Sequence, residues 1–199
     1  AARAGVVPDR VVAVPLAASS CFRPTPPAQT ARPFFLYVGA IEPRKNLDTA
    51  IQAWRALRPT CPADLVLVGR VAPGFAAPAA EPGLRILGEV PDQDLPGLYS
   101  SAVAVLYPSV YEGFGLPVLE AMQCGALVIA SRIAAVQEVA AAGAALLDPR
   151  DVVAWADAMR EALLRPENLA SCRKRALARA ASFSWARTAC ATRAVYAEA

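Results

Sequence analysis

Short apolar runs, most ending at a glycine or a turn, alternate along this chain with stretches whose apolar residues recur every three or four positions. The runs are Phe34–Val38 before Gly39, 65–68 before Gly69, 85–87 before Gly88, 103–107, 126–130 and 144–147. Such text predicts strands buried on both faces. Between the runs, Leu47, Ile51, Trp54 and Leu57 share one helical face, with Asn46 placed to cap it. Asp92 or Asp94 caps a short helix reaching Tyr99, with Pro96 in its first turn. A helix over 116–122 is closed by Gly125 as a left-handed cap, and another covers 135–141. Val152, Trp155, Met159 and Leu163 mark a longer amphipathic helix, and two further helical segments follow. Residues 11–15 read as an additional strand ahead of a proline-rich connector over 23–33.

Strand-helix alternation with apolar strands means a parallel sheet with helices on both faces, a Rossmann-like three-layer α/β domain of about six strands. The predicted partition is a connector with its strand over 1–32, the ligand-binding domain over 33–182, and a C-terminal helix over 183–199. In such sheets ligands bind beyond the carboxyl ends of the strands, where the strand order reverses. That directs attention to the loops after Val38, Leu87 and Tyr107.

Composition narrows the chemistry. The 199 residues suit one medium domain, and although 56% are apolar, no run approaches the roughly 18 needed to cross a bilayer. A net charge of +3, spread along the chain, argues against a nucleic-acid partner. The run Arg173-Lys174-Arg175 reads as a solvated helix face, with contact to anionic lipid as the minority reading. Five scattered cysteines, none in a C-x-x-C pair, argue against a metal site and for a reducing compartment. The expected location is therefore the cytoplasm, with peripheral contact at the inner face of the membrane as the lesser alternative. With no histidine, an imidazole base has to come from outside this chain. The chain opens at Ala1 without methionine and is read as a segment of a longer protein.

The stretch YPSVYEGFGLPVLEAMQCG, from Tyr107 to Gly125, carries the most specific chemistry. Phe114-Gly115-Leu116-Pro117 leads from a strand into a helix. Gly115 permits close backbone approach, and free amides at a helix start favour phosphate. Taken alone, a tight strand-to-helix turn explains this equally well. The carboxylates Glu112 and Glu120 add more, because a phosphate seat tolerates them only where they serve neighbouring hydroxyls, to which a carboxylate binds in bidentate fashion. Polyols on both sides of a pyrophosphate describe a nucleotide-sugar. Arg44 and Lys45, in Glu42-Pro43-Arg44-Lys45-Asn46, then supply cations for the diphosphate. Tyr107 and Tyr111 stack on a ligand or pack, Glu138 reads as a surface carboxylate, and Cys124 as a small buried hydrophobe.

These motifs, with LYVGAIEPRKNL and RILGEVPDQDLPGLYSSA, resemble the C-terminal half of a retaining glycosyltransferase of family 4 (group 1), of the GT-B class. The resemblance runs from about Val11 to the C-terminus. It implies two Rossmann-like domains facing across a cleft, of which this one binds the donor. It assigns Glu120 to the ribose hydroxyls, Glu112 to the donor sugar, and Lys45 with Arg44 to the diphosphate. The amides around Gly115 and Leu116, beside Phe114, take the distal phosphate. The backbone at Val90 lies near the base, and Gly39, ending the first strand, belongs to the same site. No metal or other cofactor is implied. Relatives often carry arginine directly after that glycine, where this chain has Ala40. Either Arg44 supplies the second cation or the phosphate grip is weaker.

The expected function is the donor-binding domain of a mannosyltransferase using GDP-mannose in lipopolysaccharide or other surface polysaccharide synthesis. The acceptor, a glycan or lipid-linked molecule, is expected in an N-terminal domain outside this chain, against which the last helix packs. The alternatives are half of a GT-B-like sugar-nucleotide epimerase and a non-catalytic nucleotide-sugar module.

Overall fold

The computed structural model describes residues 11–198. The elements are β1 (Phe34–Val38), α1 (Leu47–Leu57), β2 (Asp64–Val68), β3 (Leu84–Gly88), α2 (Leu95–Ser101), β4 (Ala104–Tyr107) and α3 (Leu116–Gln123), followed by β5 (Val128–Ser131), α4 (Ala134–Ala140), β6 (Ala145–Leu147), α5 (Val152–Leu164), α6 (Ala170–Ala180) and α7 (Trp185–Glu198). The six strands form one sheet in the order β3-β2-β1-β4-β5-β6, every pairing parallel. The chain builds outward from β1 in one direction, then restarts on its other side at β4. Rossmann-like folds reverse strand order in this way, and the loops after β1 and β4 part at the reversal.

Two apolar layers hold the sheet. Leu36, Val66, Val105 and Val128 face α3, α4 and α6 on one side. Phe35, Leu65, Leu106 and Ile129 face α1 and α5 on the other, against the fully buried Trp54 and Trp155. All five residues of β1 are buried, which is why its sequence shows no polar alternation. The indole of Trp54 donates to the Ala63 carbonyl at 2.8 Å, so this large side chain buries no unpaired polar atom.

Four expectations change. Residues 11–15 form no strand: Val11 and Val12 are more than half exposed, and the segment joins no ladder. The connector instead packs through Ala17, Ala18 and Phe22, all buried. β3 is not covered on both faces: it is an edge strand, with Arg85, Ile86 and Leu87 exposed. β5 starts two residues later than predicted, because the Ala126 amide is used to close α3 by donating to the Ala121 carbonyl, while Gly125 donates to Met122. The basic run on α6 is only partly a solvated face. Arg175 donates to the Ala142 carbonyl at 2.9 Å and Arg173 to Val103 at 3.4 Å.

α7 buries none of its residues, and Trp185 and Tyr196 on it are exposed. No helix among the described residues is long and apolar enough to cross a membrane.

At the carboxyl edge of the sheet the turns after β1 and β2 nearly touch. Gly69, at φ +134°, lies where a Cβ would stand 2.0 Å from the Gly39 carbonyl oxygen. Gly69→Ala is therefore expected to lower stability by more than about 1 kcal/mol, read as a fall in the urea midpoint at unchanged m-value. An unchanged midpoint would show that the two turns are free to separate.

Candidate functional site

The loops after β1 and β4 are zipped together. Val110 donates its amide to the Arg44 carbonyl at 2.9 Å. Asn46, at φ 52°, stands at the N-terminus of α1 but does not cap it with its side chain. Its amide instead donates to the carbonyls of Pro108 at 3.0 Å and Pro149 at 2.7 Å. It thereby ties the loops after β1, β4 and β6 to one point, a role the sequence does not announce.

Within this frame Lys45 is buried, and its Nζ lies 2.6 Å from Glu112 Oε1. The ammonium also donates to the Tyr107 hydroxyl at 3.3 Å and sits 5.1 Å from that ring's centre. Tyr107 is buried and packs under the cation, whereas Tyr111 is exposed. Arg44 reaches the other Glu112 oxygen at 3.1 Å and Glu42 at 2.6 Å. Two cations thus face two carboxylates. Arg44 and Lys45 do not form an unpaired positive patch, because Glu42 and Glu112 already balance them.

Glu120 lies apart from this cluster. Its Oε2 accepts from the Tyr99 hydroxyl at 2.9 Å, and Oε1 takes no bond from any described residue. Burial raises the Glu120 pKa above the ordinary carboxylate range; the Tyr99 bond opposes that rise, and the charge of Asp92, ahead of α2, adds to it. Glu112 moves the other way. Burial alone would raise it, but the hydrogen bond and charge of Lys45 hold it below that range. The two glutamates therefore sit on opposite sides of the turn, one against the β1 loop and one against α2.

Between them α3 begins at Gly115, at φ +99°. The amides of Gly115 and Leu116 have no acceptor among the described residues, while those of Val118 and Leu119 both return to the Gly115 carbonyl. Phe114 packs edge-to-face on Phe183 at 6.0 Å, which anchors the turn. Gly39 and Val90 line a cleft of about 320 Å³ over the ends of β1, β2 and β3, together with Ala40 and Arg70. Arg70 is a cation that sequence reasoning passed over; its place directly after Gly69, at a strand end, was the available signal. A larger cavity, about 580 Å³, opens between Pro15, Leu16 and the α6–α7 junction. It has no carboxylate in its lining and so lacks the hydroxyl acceptors found at the sheet edge. Glu138 is exposed, and Cys124 is buried, its thiol pushed up to about 12 chiefly by burial.

The sequence profile of the family described as Glycosyl transferases group 1 matches residues 22–179. The chain belongs to the group 1 glycosyltransferases. It is 37% identical over 200 residues to the O-antigen chain mannosyltransferase B of Escherichia coli, covering 89% of this chain and 51% of that protein. It is 34% identical over 169 residues to the serotype-specific mannosyltransferase WbdA of Escherichia coli, covering 78% of this chain and 20% of that one. Among solved structures, sucrose-phosphate synthase of Thermosynechococcus elongatus superposes with a TM-score of 0.81 at 27% identity, over 93% of this chain and 51% of the synthase. The fold is thus the Rossmann-like half of a GT-B architecture. This group 1 domain spans about half the length of mannosyltransferase B and of the synthase.

The opposite pKa directions of the two glutamates give opposite pH dependences. Glu112, depressed in the folded state, adds stability that is fully present above its unfolded value of about 4.3 and is lost as pH falls through the folded value. Glu112→Gln is expected to flatten the acid-side fall in unfolding free energy, measured by urea titration between pH 3 and 7. Glu120, raised on folding, contributes stability present below the unfolded value and lost as pH rises through the folded one. Glu120→Gln should therefore melt above the wild type at pH 7, and a lower melting point would contradict the burial argument.

Proposed function

We propose that this domain binds the nucleotide-sugar donor of a retaining family 4 transferase. We further propose that the donor is GDP-mannose and that the product is a bacterial surface polysaccharide. The observation that carries this is the placement of Glu112 and Glu120 on either side of the open Gly115 and Leu116 amides, at the strand-order reversal, with Lys45 and Arg44 reaching in from the β1 loop. The names of the mannosyltransferase relatives support the sugar.

In this reading Glu120 accepts from the ribose hydroxyls and Glu112 orients the donor sugar. The amides of Gly115 and Leu116, beside Phe114, take the distal phosphate. The base lies near the Val90 backbone, with Gly39 in the floor of the same cleft. Breaking the sugar–phosphate bond leaves positive charge on the sugar and negative charge on the departing diphosphate. Lys45 and Arg44, drawn from their carboxylates, stabilise that diphosphate without a metal, which is catalysis by preorganised charge. Glu112 keeps a binding role and is not a covalent nucleophile. The acceptor, a glycan or lipid-linked molecule, is held by a further domain, and peripheral membrane contact belongs to the whole enzyme in the cytoplasm.

A thermal-shift panel of GDP-, UDP- and ADP-sugars tests the reading. GDP-mannose is expected to give the largest shift, and Lys45→Ala and Glu120→Ala are each expected to weaken its binding at least about tenfold, the loss of one charged hydrogen-bonding partner. Equal shifts for every donor, or none, would sink it. The isolated chain is expected to show no acceptor-dependent transfer, so a measurable rate would overturn the division between donor and acceptor domains.

A further inference from the structure

Tyr99 is fully buried on α2, its ring edge-to-face with Phe22 of the connector at 6.0 Å. A hydroxyl in such surroundings requires a partner, and this one spends its proton on a single oxygen of Glu120, at 2.9 Å. Burial, with the Glu120 charge beside it, pushes the Tyr99 pKa well above its ordinary value, so the hydroxyl remains a donor at any working pH. The ring is wedged and cannot follow the carboxylate, so the carboxylate has to come to the ring. One lone pair of Oε2 is thereby taken, its other stays open, and Oε1 is left with no bond from any described residue.

We propose that Tyr99 is a positioning residue for the donor: its hydroxyl holds the Glu120 carboxylate in the one orientation that accepts both hydroxyls of a ribose cis-diol. The inference rests on the reading of Glu120 as the ribose acceptor, and deepens it. Nothing in the Leu-Tyr-Ser-Ser text marks the tyrosine for this task, which lies 21 residues before its partner. A glutamate on a helix has three rotatable side-chain bonds. Fixing them before binding removes an entropic cost that each bound nucleotide would otherwise meet.

The test compares the affinities of the full chain for GDP and for 2′,3′-dideoxy-GDP, and likewise for UDP and its dideoxy form, by calorimetry. The wild type is expected to favour the ribose form by about tenfold or more, as charge-assisted hydrogen bonds imply. Tyr99→Phe, which keeps the ring, is expected to lower that ratio at least threefold while changing dideoxy affinity less than twofold. Phe22→Leu loosens the same packing without touching the hydroxyl and should keep the wild-type ratio. In a Glu120→Ala background the Tyr99→Phe change should leave the ribose-to-dideoxyribose ratio unaltered, since the group it positions is gone. An unchanged ratio in Tyr99→Phe, or an equal loss for both ligands, overturns the positioning role while leaving the donor reading intact. A wild type that does not distinguish ribose from dideoxyribose overturns the ribose role of Glu120, and this inference with it.

Discussion

The buried ion pair between Lys45 and Glu112 organises the carboxyl edge of this sheet. The two residues come from loops that leave β1 and β4 on either side of the strand-order reversal, where no strand pairing holds the loops together. Burying either charge alone is costly, and removing one partner of such a pair typically costs a few kcal/mol. The loops therefore close on each other, and the Val110 amide and the Asn46 side chain follow the same path. The ligand-binding gap of a Rossmann-like fold is here filled by its own charges.

That arrangement bears on the proposed binding of a diphosphate. Arg44 and Lys45 are balanced by Glu42 and Glu112, so the cluster carries no surplus positive charge. In the proposed reading, an anion is drawn first by the open amides at the start of α3 and by Arg70 in the neighbouring cleft. In that reading the cations then change partners: Glu112, released from Lys45, would accept from neutral hydroxyls, while Glu120, paired with no cation among the described residues, would accept from the outset. The difference in their environments, one depressed and one raised in pKa, separates two glutamates that the text EGFGLPVLE presents as equals.

Much of the fold was legible because parallel strands buried on both faces and amphipathic helices leave different periods in the sequence. β1 and α1 are the clearest cases. The β5 boundary was misplaced because the closing of α3 uses the Ala126 amide, a hydrogen bond without a sequence signature. Residues 11–15 look like a strand because valines favour one, yet a strand requires a ladder partner and none of the described residues supplies one. Asn46 carried a real signal, a cap residue in the right place, but tertiary carbonyls at Pro108 and Pro149 outbid the helix for its side chain.

Residue chemistry and spacing by themselves determined the α/β class, the family resemblance, and the two glutamates flanking a glycine turn, because local periodicity and a nine-residue motif need no distant partner. Only the tertiary structure decided which groups face one another. It brought Lys45 onto Glu112 across 67 positions and the Tyr99 hydroxyl onto Glu120 across 21. It also showed Arg44 to be already paired, and set Arg70 in the cleft with Gly39. Such contacts depend on the order in which strands pair, and pairing order is a property of the whole sheet rather than of any stretch within it.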